Sequence, residues 1–175
     1  MADGTLKVGT ITTSSGSGTI TLGQSGETIA IPSGVTMTGM GKVLQVSNFV
    51  QASVVQSISS TSYTDLTSVT FNITPSSTSS KILLLSTIGV QLNDTEGYGM
   101  QFLRDATSIY ATKASYTLYA SGVTEIHNVN SFIYLDSPNS TSSLTYKVQV
   151  RGYNTNTVRF NDGFNSNIIA MEIAG

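Results

Sequence analysis

LTYKVQVR (144–151) decides the fold class. Leu144, Tyr146, Val148 and Val150 alternate with Thr145, Lys147, Gln149 and Arg151. Successive side chains of a strand point to opposite faces, so this octet has one apolar face and one polar face. Working outward, runs of the same kind recur along the chain. They are VLQVSNF (43–49), SVVQSI (53–58), SVTFNI (68–73), KILLLSTIGVQL (81–92), YGMQFLRD (98–105), TSIYATK (107–113), EIHNVNSFIYLD (125–136), TVRFN (157–161) and NIIAMEI (167–173). Between them lie turn clusters: TPSSTSS (74–80), NDTEG (93–97) and SPNSTSS (137–143). Arg104-Asp105-Ala106 reads as a hairpin turn, and 114–123 as a long loop. No window keeps a helical period. Roughly nine short strands without a helix predict an all-β sandwich of the jelly-roll type.

The first forty residues are built differently. TLKVGTI (5–11), GTITLG (18–23), ETIAIPSG (27–34) and VTMTGM (35–40) are stubs in which Ile, Leu or Val alternates with small polar residues. All six Phe and eight Tyr lie beyond Met40. Stubs this short cannot enclose a core of their own. The apolar positions Ile11, Ile20, Leu22, Ile29 and Ile31 therefore need cover, most simply from other copies of the chain. Two parts follow: a slender β stalk or docking segment over 1–41, and a jelly-roll head over 42–175. The terminal NIIAMEI run is apolar on both faces, so Ile169, Met171 and Ile173 join the expected contact between copies.

Composition limits the function. Charged residues are 10%, far below the roughly 25% of ordinary domains, while Ser and Thr make up roughly three residues in ten. Such a surface hydrates without repelling neighbours, which suits dense packing among many copies. The five Lys and three Arg are scattered; no cluster forms the cationic groove that nucleic acid requires. The longest apolar run, Ile82 to Leu85, is too short to cross a bilayer. Met1-Ala2-Asp3 opens with neither a basic nor an apolar leader segment, so no signal peptide is expected. Cys is absent, which excludes disulfides and thiolate metal sites.

A resemblance emerges from GKVLQV (41–46), SVTFNITPSSTSSKILLL (68–85), FLRD (102–105), FIYLDSP (132–138), TYKVQVR (145–151) and NIIAMEI (167–173). Together these resemble virion fibre, tail-fibre tip and head-decoration proteins of tailed bacteriophages. GTITLGQSGETIAIPSG (18–34) resembles the repeat that often precedes such a domain in marine phages. The resemblance implies a homotrimer with a jelly-roll head of the tumour-necrosis-factor and complement type. It implies assembly in the host cytoplasm and exposure on the particle exterior, with other virion proteins, of capsid or tail, held through the N-terminal segment.

Nothing reads as catalytic, and neither a cofactor nor a metal site is expected. His127 is the only histidine and lies on a strand beside Glu125; it reads as a polar-face or interface residue. GxSxG does not occur. Asp94, Glu96 and Asp162 have the oxygens that calcium uses, but Asp-x-Glu is ordinary turn chemistry. Recognition points to the loops. Tyr116, Tyr119, Tyr153 and Asp162 are the candidate ligand residues, because aromatic faces stack on pyranose rings and carboxylates bind hydroxyls. The alternative is that these tyrosines pack between subunits. Three functions follow: a host-contacting fibre or decoration protein, a purely structural capsid cement, and a glycan-cleaving tailspike.

Overall fold

The computed structural model describes residues 9–13, 18–30, 43–113 and 116–175, apart from the side chains at 48, 49, 51 and 68. The chain divides into two units, Met1–Thr38 and Gly39–Gly175. In the first, none of the described residues is in a strand. Gln24 and Glu27 close a tight turn, where the Glu27 N–H donates to the Gln24 carbonyl at 3.1 Å and the Gln24 N–H to the Glu27 carboxylate at 2.6 Å. Ile11, Ile20, Leu22 and Ile29 are exposed. Ile31 lies outside the described residues.

The second unit is all β, one curled antiparallel sheet. Its strands are β1 (Val43–Ala52), β2 (Gln56–Ile58), β3 (Thr64–Ile73), β4 (Lys81–Arg104), β5 (Thr107–Ala111), β6 (Leu118–Asp136), β7 (Leu144–Gly152), β8 (Val158–Phe160) and β9 (Ser166–Ile173). β4 is the spine. Its first half pairs with β9 on one edge and β6 on the other; its second half pairs with β7 and β5. One half of the sheet thus runs β1-β9-β4-β6, and the other β3-β7-β4-β5. β3 curls back to pack against β1 and β9.

Two boundaries differ from the sequence expectation. NDTEG does not end a strand: β4 passes through it and stays paired with β6, with register shifts at Leu92/Asp94 and Asp94/Glu96. Asp94 takes φ 63°, and the buried Glu96 carboxylate accepts the Asn93 N–H at 3.0 Å. Turn chemistry here makes bulges that bend a continuous strand from one half of the sheet into the other. The expected loop 114–123 is likewise mostly strand, because β6 starts at Leu118 and pairs with β4 from Tyr98 back to Ile82. The 104–107 hairpin forms as expected, with Asp105 at φ 54°.

The core lies inside the curl. In β7 Leu144, Tyr146, Val148 and Val150 are buried, as the alternation requires. Around them pack Ile82, Leu84, Ile88, Tyr98, Phe102, Phe160 and Ile168. Tyr98 meets Phe160 edge-on at 5.4 Å, and Phe71 stacks on Tyr146 at 5.7 Å. Each such side chain contributes about 1.5–3 kcal/mol of burial. One buried polar group is met from two sides: Asp136 accepts from Arg104 at 2.7 Å and from the Tyr146 hydroxyl at 2.6 Å. Burial raises the Tyr146 phenol well above its ordinary value, and the Asp136 carboxylate adds to the shift.

Candidate functional site

The outer faces of the two halves differ in chemistry. On β3-β7-β4-β5 the outward groups are polar and bonded to one another. Asp65 accepts from Gln149 at 2.6 Å and from Lys147 at 2.9 Å; Gln101 donates to Gln149 at 2.7 Å and accepts from Ser108 at 2.8 Å. This is a surface made for water. On β1-β9-β4-β6 the register sets Leu135 beside Leu83, which faces Met171, which in turn faces Val46. The next row sets Ile133 beside Leu85 and Ile169. Ile173 faces Val43 at the end of β9. Residues directly opposite across strands share a face, so these rows form one apolar surface. Ile133 is 67% exposed and Val46 62%. A shallow depression in it is lined by Leu85, Thr87, Ser131, Ile133, Asn167 and Ile169.

The three C-terminal residues expected at the contact between copies, Ile169, Met171 and Ile173, are half-buried on this surface. The opposite face of β9 is not simply apolar: Ser166, Ile168, Ala170 and Glu172 point inward. Sequence reading missed Leu83, Leu85, Ile133 and Leu135. The signal was present in Ile82–Leu85, four consecutive apolar residues, which leaves a strand apolar on both faces.

A second feature is aromatic. Tyr116, Tyr119 and Tyr153 are all exposed and come together, with ring centroids 5.5 Å (116–119), 5.5 Å (116–153) and 5.0 Å (119–153) apart. Two segments deliver them, the start of β6 and the turn after β7. Tyr116 is held by its N–H to the Lys113 carbonyl at 2.8 Å; Tyr119 lies in β6 opposite Gly97; the Tyr153 N–H donates to the Gly97 carbonyl at 2.8 Å. Asn154 and Asn156 pin the neighbouring turn, both donating to the Thr95 carbonyl, at 3.0 and 3.2 Å. The Lys113 ammonium lies 5.6 Å from the Tyr116 ring centre. The hydrogen bond with Tyr116, and then the charge of that neighbour, hold the Tyr153 phenol above its ordinary value. Such a cluster offers flat apolar faces ringed by hydroxyls, amides and one cation.

Asp162 does not belong to this cluster. It follows β8 and forms an ion pair with Arg159 at 2.7 Å, because Asn161 at φ 63° turns the chain back toward that strand. Nor is His127 isolated: its Nε2 lies 2.6 Å from the Glu125 carboxylate. Among the described residues no three His, Asp or Glu side chains converge as a metal site would need.

No family model matches the chain, and no curated protein does. Solved structures do. The chain is similar to the structure of infectious bursal disease virus, Gx strain, with a TM-score of 0.51 and 11% identity, over 85% of this chain and 37% of that one. It also matches the infectious bursal disease virus VP2 subviral particle, with a TM-score of 0.45 and 12% identity, over 75% of this chain and 33% of that one. The chain therefore spans little more than a third of the chains it matches. At this identity the likeness is one of fold.

Proposed function

We propose that the protein is a non-catalytic structural component of a virus particle: a homotrimeric short fibre or decoration protein of the tailed-phage kind. The observation that carries this reading is the contrast between the two outer faces. One is polar and self-bonded; the other is a broad apolar surface on β1-β9-β4-β6. Soluble monomers rarely expose contiguous apolar patches beyond a few hundred Å², and further copies of the chain are the natural cover. The order β1-β9-β4-β6 in one half and β3-β7-β4-β5 in the other supports a jelly roll of the tumour-necrosis-factor and complement type. The first unit, with exposed Ile11, Ile20, Leu22 and Ile29, serves as the docking segment.

The tyrosine cluster favours contact with a host-surface glycan over a purely structural cement. Three rings from two segments present a stacking platform, and three copies about one axis would multiply a weak single-site affinity. Two measurements test this. Imaging of purified particles bearing a labelled copy should place the protein on the exterior; its absence from particles overturns the virion reading. Tyr116→Ala, Tyr119→Ala and Tyr153→Ala together should lower adsorption to host cells at least fivefold, while the mass of the assembly and its melting stay the same. Unchanged adsorption with an intact assembly leaves the cement reading. A variant that melts or dissociates makes the rings packing residues.

A further inference from the structure

The outer face of β1-β9-β4-β6 does not stay apolar along its length. Two residues beyond Val129, about 7 Å along β6, comes His127, and here the register brings Arg159, Gln91 and His127 into one row across β8, β4 and β6. Arg159 donates to the Gln91 side-chain carbonyl at 3.2 Å. The Gln91 amide donates to Glu125, and His127 Nε2 lies 2.6 Å from the same carboxylate oxygen. Arg159 also pairs with Asp162 at 2.7 Å. Phe164 closes the row, meeting the His127 ring edge-on at 5.7 Å. Gln91 is buried beneath, while the charged groups around it reach the surface.

We propose that this row continues the contact between copies of the chain, and that protonation of His127 tightens the assembly. The inference rests on reading the adjoining apolar surface as the subunit interface. The partner is a second copy because the row holds both signs, with Arg159 and His127 against Glu125 and Asp162, so like rows complement each other in alternating register. The groups facing His127 are Glu125 on its own strand, the neutral Gln91 on β4, Arg159 on β8 acting through Gln91, and Phe164 with the Arg159-bound Asp162 from the loop after β8. Two carboxylates and one guanidinium leave the row at minus one while the imidazole is neutral. With the imidazole protonated the row is at zero. Bringing like rows together then sets no net charge against another, whereas at higher pH each copy contributes one and the two repel. Assembly consequently takes up protons, and it weakens as pH rises.

The test is sedimentation equilibrium of the full chain at pH 5.5 and pH 8. The dissociation constant is expected to be at least fivefold lower at pH 5.5, at the low end of ordinary coupling between sites. His127→Gln keeps a donor toward Glu125 and cannot titrate, so it should flatten the response. Glu125→Gln removes the excess charge and should assemble tightly already at pH 8. A monomer at both pH values overturns the interface reading itself, and this inference with it. An assembly equally tight at both, or a His127→Gln chain with the full pH response, overturns this inference alone.

Discussion

Glu172 is fully buried near the end of β9, yet it keeps its charge. Burial alone would push its carboxyl upward. The Ser76 hydroxyl at 2.6 Å, the Ser76 N–H at 2.7 Å and the Gln45 amide at 2.6 Å outweigh burial and hold it below the usual carboxylate value. A depressed folded value means a contribution to stability that is present above the unfolded value, about 4.3, and lost as pH falls through the folded one. Glu172→Gln replaces one acceptor by a donor among three donors. It should cost about 1–3 kcal/mol at pH 7, and the gap to wild type should narrow at pH 3; chemical denaturation at both pH values measures it. An equal gap at both would mean that the lost charge is not the cause. The sequence showed Glu172 only as a polar interruption in NIIAMEI. Its donors come from 96 and 127 residues away, a distance no local pattern spans. The tyrosines were easier to find: their type and their crowding near the chain end were visible, whereas Asp162, expected beside them, pairs with Arg159. An acid three residues after an arginine on a short strand finds that arginine first.

At the scale of elements, alternation located the strands and misjudged their joints. β7 and β9 follow from period two alone. β4 does not, because Asn93 to Gly97 carries the residue types of a turn while β6 supplies a continuous partner, and pairing prevails over local propensity. The same strand contains a very close approach. A Cβ on Gly89 would sit 2.6 Å from the Phe164 Cβ and 3.4 Å from its carbonyl. The Gly89 N–H donates to the Ser166 hydroxyl at 3.1 Å, and its carbonyl accepts the Asn161 N–H at 3.0 Å. The loop between β8 and β9 is therefore clamped onto bare backbone. Gly89→Ala should displace Phe164 from His127 and cost about 1–3 kcal/mol, the usual range for overpacking. Thermal melting gives the cost, and a change in the His127 ring signals in NMR reports the displacement. A wild-type melt with unmoved signals would show that the loop gives way freely.

The whole molecule joins two kinds of sequence. The second unit has a closed core, every strand of it paired, and one outer face of polar groups bonded to one another. The first has exposed apolar positions and, among its described residues, no strand. The two units divide at Gly39, and every Phe and Tyr lies beyond that point. Residues with no core of their own contribute little to the folding of a neighbour that has one. A chain of residues 42–175 should thus remain all β by circular dichroism and melt cooperatively within a few degrees of the full chain. It should also fail to load onto particles that lack the protein, because the docking segment is gone. Normal loading of the shortened chain would move docking to the second unit, with the apolar face of β1-β9-β4-β6 as the first place to look. Loss of cooperative melting would instead mean that the first unit completes the fold, its alternating stubs adding strands to a sheet edge once copies assemble.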